Sequence, residues 1–116
     1  MKNVLILTVG FILMSYSSYA QDYNSNNKLT RSIQQTTQSP EQLAITCCEL
    51  FYNAVKANDL DKVIAITYGI GEWGDDKSDD ERMRFENAMQ SWADANPYKA
   101  ERINDFYKKH RDVIPK

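Results

Sequence analysis

Residues 39–57, SPEQLAITCCELFYNAVKA, constrain the fold of this chain more than any other stretch. Ser39 is a good helix N-cap, Pro40 suits the first helical position, and Gln42 completes a capping-box pattern. The polar residues that follow, Gln42, Thr46, Glu49, Asn53 and Lys56, recur at spacings of 4, 3, 4 and 3. At about 100° per residue they fall on one stripe about 80° wide. Everything else on the helix is apolar, small or aromatic. A helix with so narrow a polar stripe must be covered on most of its sides, by the chain's own helices or by a second chain.

The sequence supplies such helices. Asn58, which tolerates a left-handed conformation, breaks the first helix, and Asp59 caps a second with Leu60, Val63, Ile64 and Thr67 or Tyr68 facing inward. This second helix is expected to be short, ending where Gly69, Gly71 and Gly74 cluster, with GIGEWGDDK as a loop. Ser78 and Glu81 form a second capping box, and Asp79 and Asp80 complement the helix dipole. The third helix presents Phe85, Ala88, Met89 and Trp92 at i, i+3, i+4 and i+7, with Arg82–Glu86 and Asp80–Arg84 as outward i, i+4 pairs. Asn96-Pro97 ends it and starts a fourth helix carrying Ala100, Ile103, Phe106, Tyr107 and His110, with basic residues in its last turn. No segment alternates with period two over β-branched residues. The expected fold is all-α: a small bundle of about four helices over residues 39–116, with neighbours roughly antiparallel.

The N-terminus, MKNVLILTVGFILMSYSSYAQ, has a positive Lys2, an apolar run of about eleven residues, and small residues at Ser18 and Ala20. The run is too short for a membrane span, which needs about 20 residues. Residues 1–20 read as a signal peptide cleaved before Gln21, so an exported protein is expected, periplasmic or secreted, with no membrane span after cleavage. Cleavage removes only one ionisable residue, Lys2, and takes the formal net charge from −2 to −3. A mildly acidic chain with no basic patch argues against nucleic acid as a partner. Residues 21–38 are rich in Gln, Asn, Ser and Thr, and they read as a disordered or weakly ordered arm. The competing reading is a short helix over residues 29–35 docked on the body.

LFYNAVKANDLDKVIAITY, residues 50–68, resembles the opening helical hairpin of NTF2-like proteins, and it is equally similar to a tetratricopeptide-type hairpin. The first resemblance implies a curved sheet downstream, but after Gly74 this sequence offers two helices and no strands. The second implies a repeat of about 34 residues, and no second period is present. Neither resemblance transfers a functional residue; a divergent NTF2-like helical remnant is the most the first one supports.

Cys47 and Cys48 are the only cysteines, too few for a disulfide scaffold. On the helix Cys47 shares a side with Leu43, Leu50 and Ala54, and Cys48 shares one with Ala44, Tyr52 and Val55. Both therefore point into expected core, as buried free thiols. They are poorly placed to bond each other, because adjacent helical side chains diverge by about 100°. An intermolecular disulfide across a homodimer stays open. Zinc wants four ligands, commonly with cysteines two to four residues apart, and His110 is the only histidine, so no metal is expected. A nucleophilic thiol paired with His110 would need an exposed, electropositive setting, the opposite of a mid-helix apolar arc. His110 reads as a boundary residue near a helix C-terminus. The six carboxylates of residues 72–81 match no calcium-loop register; Asp79, Asp80 and Glu81 sit where helix N-terminal acids belong, and Asp75 and Asp76 belong to a solvated loop, with weak cation or basic-partner binding as the alternative. Trp73 either folds back onto the bundle or stands in a mobile loop, where it would anchor a partner surface flanked by Asp75 and Asp76.

No nucleophile, acid–base pair or cofactor motif emerges, so no catalysis and no cofactor are expected. The functional expectation is a small exported helical protein of the cell envelope that binds another protein. The alternatives are a homodimeric structural module and an immunity- or inhibitor-type periplasmic protein.

Overall fold

The structure, a computed structural model, describes residues 22–114, with side chains from Asn26 onward. The expected signal peptide lies outside the described residues. Five helices and no strand are present among those described: α1 (Asp22–Gln34), α2 (Pro40–Lys56), α3 (Leu60–Asp75), α4 (Asp79–Ala95) and α5 (Pro97–Lys109). The all-α expectation holds. None of the described helices is long and apolar enough to cross a membrane.

The helix ends follow local chemistry. Ser39 Oγ accepts from the Gln42 N–H at 3.2 Å, and Asp59 Oδ1 accepts from the Lys62 N–H at 3.1 Å. Between α2 and α3, Asn58 takes φ 55°, a left-handed corner that asparagine accepts at little cost. Ser78 and Glu81 exchange both bonds of a capping box. Asn96 occupies the expected boundary, but its side chain turns back to donate to the Trp92 carbonyl at 2.9 Å and does not cap α5.

The α2 helix is the centre of the molecule, packed against α3, α4 and α5. Leu43, Ala44, Cys47, Leu50, Phe51, Ala54 and Val55 are all buried in one cluster with Val63 and Ile66 of α3, Phe85 of α4 and Phe106 of α5. The most extensive contacts join helices one apart in sequence, α1 with α3 and α2 with α4, not successive neighbours. A salt bridge ties the start of α2 to α4: the Arg84 guanidinium donates to both carboxylate oxygens of Glu41, at 2.7 and 2.8 Å. Asp80 is the weaker partner of Arg84 at 3.9 Å, and Arg82 pairs with Asp79 where Glu86 was expected.

Two expectations are corrected. Over Asp22–Gln34 the polar N-terminal stretch is the helix α1, docked on α3: the competing reading of a docked helix, extended well beyond residues 29–35, in place of the arm. Its anchors are Ile33, 3% exposed, the partly buried Leu29, and the Thr30 hydroxyl, which donates to the Ala65 carbonyl at 2.9 Å. Thirteen residues so poor in apolar side chains gain little by folding alone, and the helix forms because a complementary face awaits it. The second correction is that α3 runs through all three glycines to Asp75. Gly69 is where α1 crosses: a Cβ there would lie 2.9 Å from Ile33 Cβ and 3.0 Å from the Thr30 carbonyl oxygen. Tertiary contact thus sustains a helix that local propensity would end. Just past its C-terminus Arg82 donates to the Gly74 and Lys77 carbonyls at 2.9 and 3.1 Å, tying the end of α3 and the turn after it to α4.

Candidate functional site

The two thiols lie on the central helix, and the chain itself covers them. Cys47 is 0% and Cys48 4% exposed, and neither is bonded. Burial raises the pKa of both, most strongly for Cys47; the Cys48 thiol is pushed up to about 12, with Glu49 adding to the effect. A thiol held protonated is a poor nucleophile and a poor metal ligand. No group of three or more His, Cys, Asp or Glu side chains converges as a metal site among the described residues. Cys47 offers no surface for an intermolecular disulfide, and Cys48 only the little that faces the cleft between α4 and α5.

Trp73 is 3% exposed and folds back onto the bundle, with its ring centroid 5.0 Å from that of Phe85. The loop proposed to carry it is the last turns of α3. Asp75 and Asp76 remain exposed there, at the negative end of the helix, but without the aromatic anchor that would make them a docking surface. His110 packs on Phe106 with ring centroids 4.4 Å apart, and its Nε2 is buried with no hydrogen-bond partner among the described residues.

Among the spaces the helices leave open are two clefts on either side of Trp92. The first, about 550 Å³, runs between α2 and α4 and is lined by Glu41, Ile45, Arg84, Asn87, Ala88, Ser91, Trp92, Ala95 and Asn96. Small side chains on α4 make room for it, and Ile45 reaches its wall as the one α2 aliphatic that is exposed, at 42%. The second, about 510 Å³, opens between α4 and α5 over α2. Phe51 and Cys48 lie on α2 beneath it; Met89, Ala93, Ala100, Ile103 and Tyr107 add apolar lining, and Glu86, Gln90 and Asn104 add polar groups.

Trp92 lines both clefts and is 9% exposed. Its indole N–H donates to Glu49 Oε2 at 2.9 Å, and the Lys99 ammonium stands 3.8 Å from the other carboxylate oxygen. That chain of α4, α2 and α5 contacts fixes the ridge between the clefts. Tyr107 is held by its hydroxyl, 2.8 Å from the Thr67 hydroxyl, and by an edge contact with Phe51 at 5.8 Å; burial raises its pKa.

Sequence reasoning located the thiols and found Trp92 only as a core residue. The clefts arise from how α4 and α5 cross α2, which no single helix encodes. One signal was present: Ile45, Ala88 and Ala95 are side chains that a tightly packed α2–α4 contact would have buried or enlarged.

Comparison with protein-family models, curated proteins and solved structures gave no match for this chain.

Proposed function

We propose that this is a small exported protein of the cell envelope that acts by binding another protein, without catalysis. The observation that carries the reading is the pair of largely apolar clefts flanking Trp92, with Ile45 exposed at the mouth of the first. Partner surfaces concentrate binding energy in aromatic and aliphatic groups within such concavities, surrounded by polar groups that fix orientation. The Glu41–Arg84 pair and the Gln90 and Asn104 amides supply that polar setting. The groups most able to do chemistry, the two thiols, are buried, Cys47 fully and Cys48 all but a few per cent at the floor of the second cleft. The homodimer alternative relied on an uncovered remainder of α2, and the chain's own helices take up nearly all of that face.

Site-specific photocrosslinking in the producing cell tests this. A photoreactive side chain at Ile45 or Asn104 is expected to trap one discrete protein of the envelope, while the same group at the exposed Glu72 of α3 traps none. Equal, diffuse labelling at all three positions would contradict the binding surface. An adduct of twice the chain mass at Ile45 would replace the partner with a second copy.

A further inference from the structure

Three cations gather beside the ridge that separates the clefts. The Lys56 ammonium of α2 and the Lys99 ammonium of α5 both stand over the Tyr52 ring, 5.2 and 5.1 Å from its centroid. One helical turn beyond Lys99, Arg102 donates to the Tyr98 hydroxyl at 3.3 Å, and its pKa is raised by that bond and, at longer range, by Tyr52. No run of basic residues marks this group in the sequence; the packing of α5 on α2 assembles it. The carboxylates present do not neutralise it. Among the described residues, Glu49 is the only one within ion-pair distance of any of the three, 3.8 Å from Lys99, and its other oxygen already accepts the Trp92 indole N–H at 2.9 Å. Lys56 has no hydrogen-bond or ion-pair partner among those residues, and most of the Arg102 N–H donors are left to water or a ligand.

The group adjoins the clefts, because Glu49 links Lys99 to Trp92, and Ala100, next to Lys99, lines the second cleft. A segment that seats an apolar side chain beside Trp92 therefore carries its neighbouring residues over the cations. We infer that the protein partner presents acidic side chains to Lys56, Lys99 and Arg102, an inference that rests on the protein-binding reading above. Carboxylates there relieve the mutual repulsion of three like charges and fill the open guanidinium donors. A short acidic segment fits better than a long polyanion such as nucleic acid. Beyond the cations, a polyanion would meet the exposed Glu101 and Asp105 on a chain whose formal net charge is −2.

Titration with a hexaglutamate peptide at low salt, followed by amide shifts in NMR, tests the charge. Shifts are expected to gather at Tyr52, Lys56, Lys99 and Arg102. A Lys56→Glu/Arg102→Glu variant, which leaves Lys99 to steady Glu49, should bind the peptide about tenfold more weakly or worse. Lys28→Glu/Lys108→Glu, the same change of net charge placed on α1 and late in α5, should bind as the parent does. Equal loss in both variants, or shifts spread over the surface, would overturn the inference. Tighter binding of a single-stranded oligonucleotide of equal charge would also overturn it, and would make the face a nucleic-acid surface. In the producing cell, a photoreactive group at Asn104 should trap the envelope partner about fivefold less, or lower still, in the Lys56→Glu/Arg102→Glu background. An unchanged yield would overturn the acidic contact and leave the protein-binding reading standing; no discrete partner in the parent would overturn both.

Discussion

Replacing Gly69 with alanine isolates the contact that brings α1 onto the body. In an exposed helix interior Gly→Ala is favourable by about 1 kcal/mol, because alanine loses less backbone freedom on folding. At Gly69 the new Cβ would meet Ile33 Cβ at 2.9 Å and the Thr30 carbonyl oxygen at 3.0 Å. Neither atom is the tip of a flexible side chain, so relief requires α1 as a whole to move. That movement loosens the buried Ile33 and lengthens the Thr30–Ala65 hydrogen bond. Overpacking of this kind costs about 1–3 kcal/mol, enough to outweigh the propensity gain. Gly71 is the internal control, since a Cβ there meets nothing within 4 Å. Urea unfolding of the two variants is expected to give opposite signs: Gly71→Ala raises the midpoint by the equivalent of about 0.5–1 kcal/mol, and Gly69→Ala lowers it by about 1–2 kcal/mol. Hydrogen exchange should show the loss at Gly69→Ala concentrated in α1. If both variants stabilise equally, α1 does not cross α3 at Gly69 and the docked arm is wrong.

Three further outcomes follow from the site. Trp92→Phe removes the indole donor from Glu49 and part of the ridge between the clefts, and should cost about 1–2 kcal/mol in thermal or urea unfolding; no measurable cost would contradict the ridge. Hydrogen bonds from Arg84 depress the Glu41 pKa, so its contribution is present above the ordinary carboxylate value of about 4.3 and is lost as pH falls through the lowered folded value. Glu41→Gln should therefore be less stable than the parent near neutrality, with the gap closing in acid; a pH-independent gap would count against the pair. Burial raises both thiol pKa values, so the stability they confer is whole below the unfolded thiol value of about 8.5 and declines as pH rises from there toward about 12. Cys48→Ala should unfold less steeply with alkali than the parent, and an unchanged alkaline limb would place the thiol in water.

Much of the fold was legible because its determinants are local. Ser39, Asn58, Asp59 and the Ser78–Glu81 box act within a few residues of themselves, and the helix boundaries they set are those observed. The stripe on α2 was equally readable, since its narrowness demands cover whatever provides it, and the thiols fall in the covered arc. Gly69, Gly71 and Gly74 misled for the converse reason. Glycine signals a helix end by its own freedom, but here Gly69 serves a close approach of α1, and Trp73 beyond it is held in the core against Phe85. The polar composition of α1 concealed a small row, Leu29, Thr30 and Ile33, whose partner face on α3 becomes visible only once both helices are placed. The clefts were illegible for the same reason, being spaces between helices and not properties of any one of them.

The central claim is that the chain's own helices cover Cys47 and Cys48. Thiol labelling followed by intact mass tests it most directly, on the purified protein kept in air without reductant. The account predicts a single chain of monomer mass that takes up no label while native and two labels once denatured. Rapid native labelling, or a disulfide-linked dimer, would contradict it.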